Sequence, residues 1–339
     1  MPHPGLPPVS DSRIPPLHEL LAGAFVVSLP MRVKFRGIMQ RESLLLRGPL
    51  GWGEFCPFPE YGDAEASRWL AAAIEAGWQG FPAPLRSVVP VNATVPAVTA
   101  DRVPDVLARF GRVDAVKVKV AEQGQSLDDD VARLRAVRSA LSEAAVRVDA
   151  NGGWDVPGAV EALTRLAPIG LEYAEQPVPT IEGLAEVRAR LRDAGTPVLI
   201  AADESVRKET DPLRVARAGA ADLIVVKVAP LGGVRRALDI VAQAGLPAVV
   251  SSALDTSVGI RAGLALAAAL PDLPYACGLG TVSLFESDIT LDPLVADDGA
   301  IRLRDAAADA GLLERFAAPP ERRDWWLARL RRVHAHLTS

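Results

Sequence analysis

Histidine is missing from the interior of this 339-residue chain: the four present, His3, His18, His334 and His336, lie near its two ends. A Ser–His–Asp or Cys–His hydrolase needs an imidazole at its centre, and a catalytic zinc site usually has one. Both are excluded, and general bases must be lysines or carboxylates. Cysteine is as scarce. Cys56 and Cys277 stand 221 residues apart and form neither a disulfide framework nor a zinc motif, so a reducing cytoplasm is the expected setting. A net charge of −5 and the lack of any Lys/Arg block leave no footprint for nucleic acid. Apolar runs such as GLALAAALPDL are too short, or broken by proline, to span a membrane. The opening MPHPGLPPVSDSRIPP, expected to be ragged, lacks the basic and apolar regions of a signal peptide.

What is present describes an ordinary globule, 49% hydrophobic and 23% charged. FVVSLPMRVKF and SLLLRGPLGWGEF read as antiparallel strands, and DAEASRWLAAAIEAGW as a helix with Asp63 at its N-cap. These form an α+β capping domain over 1–85, with 82–90 a linker. From Val89 onward, apolar strands alternate with Ala/Leu/Arg-rich helical segments. Eight candidates follow: 89–95, 115–120, 145–150, 170–175, 197–205, 223–228, 248–255 and 275–281. Eight is the number that closes a (β/α)₈ barrel. It occupies 86–300, and 301–339 returns to the cap with an amphipathic helix at 325–337.

Five of these strands carry a charge at corresponding places. Lys119, Asp149, Glu175, Asp203 and Lys227 follow one another at intervals of 30, 26, 28 and 24 residues, about one strand, one helix and two loops. Side chains alternate along a strand, so Lys117 and Lys119 face the barrel interior while Val116, Val118 and Val120 face the helices. An ion pair of Lys117 with Asp149 would satisfy two charges but not five. Three converging carboxylates repel unless a cation sits among them, and oxygen donors without His or thiolate suit Mg²⁺, with Mn²⁺ possible. Asn151 and Glu204 are placed to orient those groups. An ammonium beside such a cation in a low-dielectric barrel gives up its proton more readily and can act as a base. Lys119 and Lys227 would then address opposite faces of a bound carboxylate. The favoured chemistry is proton removal α to that carboxylate, the metal neutralising the enediolate.

The K-x-K of Lys117 and Lys119, D-x-N at Asp149, E-Q-P at Glu175, D-E-S at Asp203 and the sixth-strand Lys227 together resemble the enolase superfamily. The match is to its Lys/Lys subgroup, which includes the muconate-lactonising enzymes. The resemblance implies an α/β fold, a modified (β/α)₇β TIM-type barrel with a cap built from the N-terminal region and the C-terminal tail. It also implies one Mg²⁺ on Asp149, Glu175 and Asp203, with Lys119 and Lys227 as acid/base residues. Segments 30–70, SSALDTSVG and GLGT are most similar to subgroup members that dehydrate a cyclohexadiene carboxylate by syn-elimination. Lys119 would take the α-proton and protonate the departing hydroxide; Lys227 would stabilise the opposite face as a cation, worth about 1–2 kcal/mol.

Substrate contacts are expected from Ser251 and Ser252, and close backbone approach from Gly278 and Gly280, although hydroxyls satisfied locally and a plain turn account for them equally well. Gly51–Tyr61 is the expected lid. Arg36, Arg41, Glu172 and Glu209 read as solvated and receive no role. Two alternatives stay open: an N-acylamino-acid racemase or dipeptide epimerase on the same scaffold, and a non-catalytic barrel whose ring is an ion network.

Overall fold

The structure, a computed structural model, describes residues 14–35, 37–196, 198–206 and 211–338. Arg36, Glu209 and the Pro-rich start through residue 13 lie outside them.

Helix α1 (Leu17–Ala22) leads into an antiparallel meander of β1 (Ala24–Phe35), β2 (Ile38–Gly48) and β3 (Gly51–Phe55). Strand alternation divides β2 between two cores. Leu44 and Leu46 join Trp69 and Leu70 of α2 (Asp63–Ile74), while Leu45 joins the main core with Val27, Leu29 and Met31. Gly62, not Asp63, is the N-cap of α2. Glycine is required at 53, where a Cβ would fall 2.0 Å from the Ala73 carbonyl oxygen.

After β4 (Val88–Pro90), the barrel runs β5 (Ala93–Val95), α3 (Val103–Leu107), β6 (Ala115–Lys119), α4 (Leu127–Ala140), β7 (Ala145–Asp149), α5 (Val156–Leu166), β8 (Leu171–Glu175) and α6 (Ile181–Asp193). It continues through β9 (Leu199–Ala202), α7 (Asp211–Arg217), β10 (Leu223–Val226), α8 (Val228–Leu231), α9 (Val234–Ala244), β11 (Ala248–Val250) and α10 (Ser257–Ala269). Strands β5 to β11 form one parallel sheet in sequence order. Val116 and Val118 pack outward, as their parity predicts.

Two expected strands differ. Segment 89–95 is split, because β4 pairs antiparallel with β12 (Ala300–Arg302) and only β5 enters the barrel. Segment 275–281 forms no strand, yet it supplies the eighth stave. Cys277 N–H donates to Pro90 O (2.7 Å) and Asn92 N–H to Cys277 O (2.9 Å). On its other side, Gly278 N–H donates to Val250 O (2.8 Å) and Ser252 N–H to Gly278 O (3.1 Å). The cylinder therefore closes, with a short 3₁₀ turn rather than a helix after the last stave, which gives (β/α)₇β in place of eight equal units.

The chain ends in α11 (Ala310–Arg315) and α12 (Pro320–Thr338). Trp326, Leu330 and Val333 of α12 are buried with Leu44, Leu46 and Trp69. Each such side chain removed from water contributes about 1.5–3 kcal/mol, so the C-terminal helix and the N-terminal sheet share one core.

Three buried ionisable side chains fasten the cap to the barrel. Glu54 of β3 accepts from Thr256 N–H and Gly259 N–H at the start of α10. Glu75, just after α2, accepts from Val234 N–H and Arg235 N–H at the start of α9. A carboxylate there satisfies orphan amides and complements the helix dipole. Arg41 corrects its sequence reading: it is buried, donating to the carbonyls of Cys56, Ala253 and Leu254.

Candidate active site

Lys119, Asp149 and Glu175 are the last residues of β6, β7 and β8; Asp203 and Lys227 directly follow β9 and β10. Parallel register sets Lys119 beside Asp149 and Asp149 beside Glu175. The side chains interlock. Lys117 Nζ lies 2.8 Å from Glu175 Oε1 and 3.1 Å from Asp149 Oδ2. Lys119 Nζ donates to Asp149 Oδ2 (2.5 Å) and Asn151 Oδ1 (2.7 Å). Lys227 Nζ donates to both oxygens of Asp203. Asn151, at a positive φ that asparagine tolerates, sends its N–H to Asp149 Oδ1 and its amide to Glu204 Oε1. The structure thus brings together all eight of Lys117, Lys119, Asp149, Asn151, Glu175, Asp203, Glu204 and Lys227.

Asp149, Glu175 and Asp203 are at most 3% exposed. Burial alone would raise all three carboxyls. For Asp149, the ammonium groups of Lys119 and Lys117 outweigh burial and hold it well below the usual range. Lys227 and Lys117 do the same for Asp203. Glu175 goes the other way, pushed up to about 8 by burial and then by the Asp149 charge. A carboxyl driven toward neutrality by burial and a neighbouring acid marks a place short of positive charge, and the donors are all hard oxygens. The residues fit a divalent cation. Among the described residues, the group whose ligating atoms all lie within 4.8 Å of one another is Glu54, Cys56 and Asp255 rather than the three ring acids. Glu54, however, is engaged with the amides of α10 and the hydroxyls of Ser43 and Thr256.

The ring opens into a cavity lined by Lys117, Lys119, Asp149, Asn151, Asp203 and Lys227, with Phe58, Tyr61 and Trp69 from the cap above. The segment expected as a lid supplies two of these aromatics. Ser251, Ser252 and Gly278 reach the wall. A Cβ at 278 would fall 2.6 Å from Ser251 Oγ, so glycine leaves room for that hydroxyl. Ser252 Oγ pairs with Thr281 Oγ1 (2.7 Å). Gly280 is a correction: it packs beside Asn92 and Phe110 and does not line the cavity. Its turn is a matter of close packing under the stave.

Several residues escaped the sequence reading. Glu172 is partly exposed but not free: it pairs with buried Arg147 (2.5 Å), which also donates to Ala276 O and lies over Tyr173. Together they plug the barrel below the charged ring. Gln176 accepts from Asp203 N–H (2.9 Å) and Ser205 N–H (3.2 Å), fixing the turn that carries Asp203. Its signal was the E-Q-P triplet.

Residues 99–312 match the enolase C-terminal domain-like family, and residues 26–77 the enolase N-terminal domain-like family. The chain belongs to the enolase superfamily. Among enolase-superfamily relatives, the o-succinylbenzoate synthase of Mycolicibacterium smegmatis is 57% identical, covering 95% of this chain and 98% of its own length. That of Mycobacterium tuberculosis is 53% identical over 96% and 97%. Solved enolase-superfamily structures share the fold. Muconate lactonizing enzyme from Pseudomonas fluorescens, complexed with muconolactone, superposes with a TM-score of 0.74 at 23% identity, covering 87% of this chain and 98% of that one. The 2-chloromuconate cycloisomerase from Rhodococcus opacus gives 0.74 at 24%, over 88% and 98%. Enzymes of this superfamily use a divalent metal, in keeping with the donors described. No helix among the described residues is long and apolar enough to cross a membrane.

Proposed function

We propose that this chain performs the o-succinylbenzoate synthase reaction of menaquinone biosynthesis. It dehydrates 2-succinyl-6-hydroxy-2,4-cyclohexadiene-1-carboxylate to 2-succinylbenzoate, as a carbon–oxygen hydro-lyase. The observation that carries the reading is a pair of lysines, four staves apart in a barrel of eight, lining one cavity with Asp149 and Asp203. The two relatives above, over half identical across nearly the whole chain, support the substrate. The same reading divides the chain into a cap of 1–85 and 301–339 over a barrel of 86–300. The setting is a reducing cytoplasm, in keeping with two buried free cysteines.

Asp149, Glu175 and Asp203 would hold Mg²⁺ or Mn²⁺, which when bound supplies the positive charge that offsets the dianion formed as the α-proton leaves. Lys119, oriented by Asp149 and Asn151, takes that proton. The same ammonium then protonates the leaving hydroxide on the same face, so one C–H and one C–O bond break, the ring becomes aromatic and water departs. Lys227, held by Asp203 on the far side, stays cationic against the ring face. Phe58, Tyr61 and Trp69 exclude water. Lys117, between Glu175 and Asp149, keeps two acids in place.

The test is direct. Purified protein is mixed with the diene acid and Mg²⁺, and loss of diene absorbance with appearance of 2-succinylbenzoate is followed. Turnover abolished by chelation is the expected result, and no turnover overturns the reading.

A further inference from the structure

Two chambers adjoin the central cavity, and they differ in charge. Behind Lys227, a space of about 30 Å³ is lined by small residues with Glu54, Cys56 and Asp255. Past Lys119 and Asn151, a cleft of about 440 Å³ runs between the end of β1 and the loop carrying α3. Arg32, Lys34, Arg102 and Arg109 line it, with Glu122 as the one acid. The central cavity itself measures about 50 Å³, room for a few waters. A ring bearing a four-carbon keto acid needs an adjoining chamber for its arm. A carboxylate on that arm is repelled by Glu54 and Asp255 and attracted by the basic cleft.

The four cations are not equivalent. Arg32 spends Nε on Phe285 O (2.8 Å) and Nη2 on Glu286 O (3.1 Å). Arg102 pairs with Asp105 at 3.2 Å. Lys34 is exposed. Arg109 differs: its Nη1 is buried and, among the described residues, without a hydrogen-bond partner. A buried unmatched guanidinium N–H costs free energy that an arriving carboxylate would return.

Resting on the proposed dehydration, we infer that Arg109 receives the terminal carboxylate of the substrate's succinyl arm in this cleft. Arg102 and Lys34 supply the field that draws the dianion toward Lys119. Arg109 is thereby a specificity residue, selecting substrates with an anionic arm, and has no part in the proton transfers.

The experiment compares the diene acid with its succinyl-arm methyl ester, in the unmodified protein and in Arg109→Gln, Arg109→Lys and Arg102→Gln. Esterification should lower kcat/KM of the unmodified protein roughly 10- to 100-fold, the range for one charge-assisted hydrogen bond. In Arg109→Gln, acid and ester should be used equally well, with kcat on the acid within about threefold of normal, a magnitude set by loss of binding alone. Arg109→Lys should restore part of the preference. Arg102→Gln, at an exposed position, should weaken the dependence of kcat/KM on ionic strength. An unchanged acid-to-ester preference in an active Arg109→Gln overturns this inference alone. No turnover by the unmodified protein removes the functional reading and the inference together.

Discussion

Arg329 Nη2 stands 2.6 Å from the carbonyl oxygen of Tyr61, so the C-terminal helix holds the lid over the barrel mouth. The same guanidinium donates to Pro57 O and Phe58 O, each at 3.2 Å, and is 1% exposed. From the other side Arg41 donates to Cys56 O and lies over the Phe58 ring. The aromatics facing the cavity are therefore set by two arginines distant in sequence.

Removing one anchor should loosen that lid. Arg329→Ala leaves three carbonyls unmatched and should cost about 3 kcal/mol, read as a lower denaturant midpoint. It should also raise KM more than it lowers kcat. Unchanged stability and KM would show that the lid holds itself.

The two lysines have distinct expected losses. Lys119→Ala should lower kcat by about 10³ or more, the scale of general acid–base catalysis. Lys227→Arg keeps a cation opposite and should retain measurable dehydration. Were the chain a racemase, both variants would be inactive on N-succinyl amino acids and the unmodified protein would turn these over at least as well as the diene acid. Side-by-side assays with both substrates decide.

Divalent metal should stabilise the fold. At about 100 times its dissociation constant, Mg²⁺ adds about 2.7 kcal/mol, seen as a higher melting temperature. Asp203→Asn should lose most of that increment. An inert barrel scaffold would show no increment in either protein.

Glu54 carries a stability signature in pH. Burial, and then the Asp255 charge, push its carboxyl up to about 7 from an ordinary 4.5. The folded state therefore holds the proton more tightly. Its favourable contribution is complete below about pH 4.5 and is lost as pH rises to about 7, a change of about 3 kcal/mol. Unfolding free energies of the unmodified protein and Glu54→Gln, compared from pH 4.5 to 7.5, should diverge by that amount, the unmodified protein losing stability. Parallel curves would place the Glu54 carboxyl near its ordinary range.

The charged ring was legible because each of its members ends a short apolar run, where an ionisable side chain has no local reason to be. Spacing alone aligned Lys119, Asp149, Glu175, Asp203 and Lys227 on successive staves. The seam between cap and barrel was not legible. Glu54 meets Thr256 some 202 positions away, and Arg41 and Arg329 bond to backbone carbonyls, which carry no residue type to read. Glu172 was read as a solvated charge because its parity is opposite to that of Glu175; it meets Arg147, which shares the parity of Asp149, at the irregularity where β8 shifts register against β7. The eighth stave was found but mistyped: 275–281 closes the cylinder through two isolated bridges, Val91 with Cys277 and Ser251 with Gly278.

The most direct test of the central claim, that three acids and two amines surround one divalent ion at the barrel mouth, is an anomalous difference map from crystals grown with Mn²⁺. A single strong peak within about 2.0–2.3 Å of oxygens from Asp149, Glu175 and Asp203, in the range of such bonds, is the expected result. A peak between Glu54, Cys56 and Asp255 instead, or none at the ring, would contradict it.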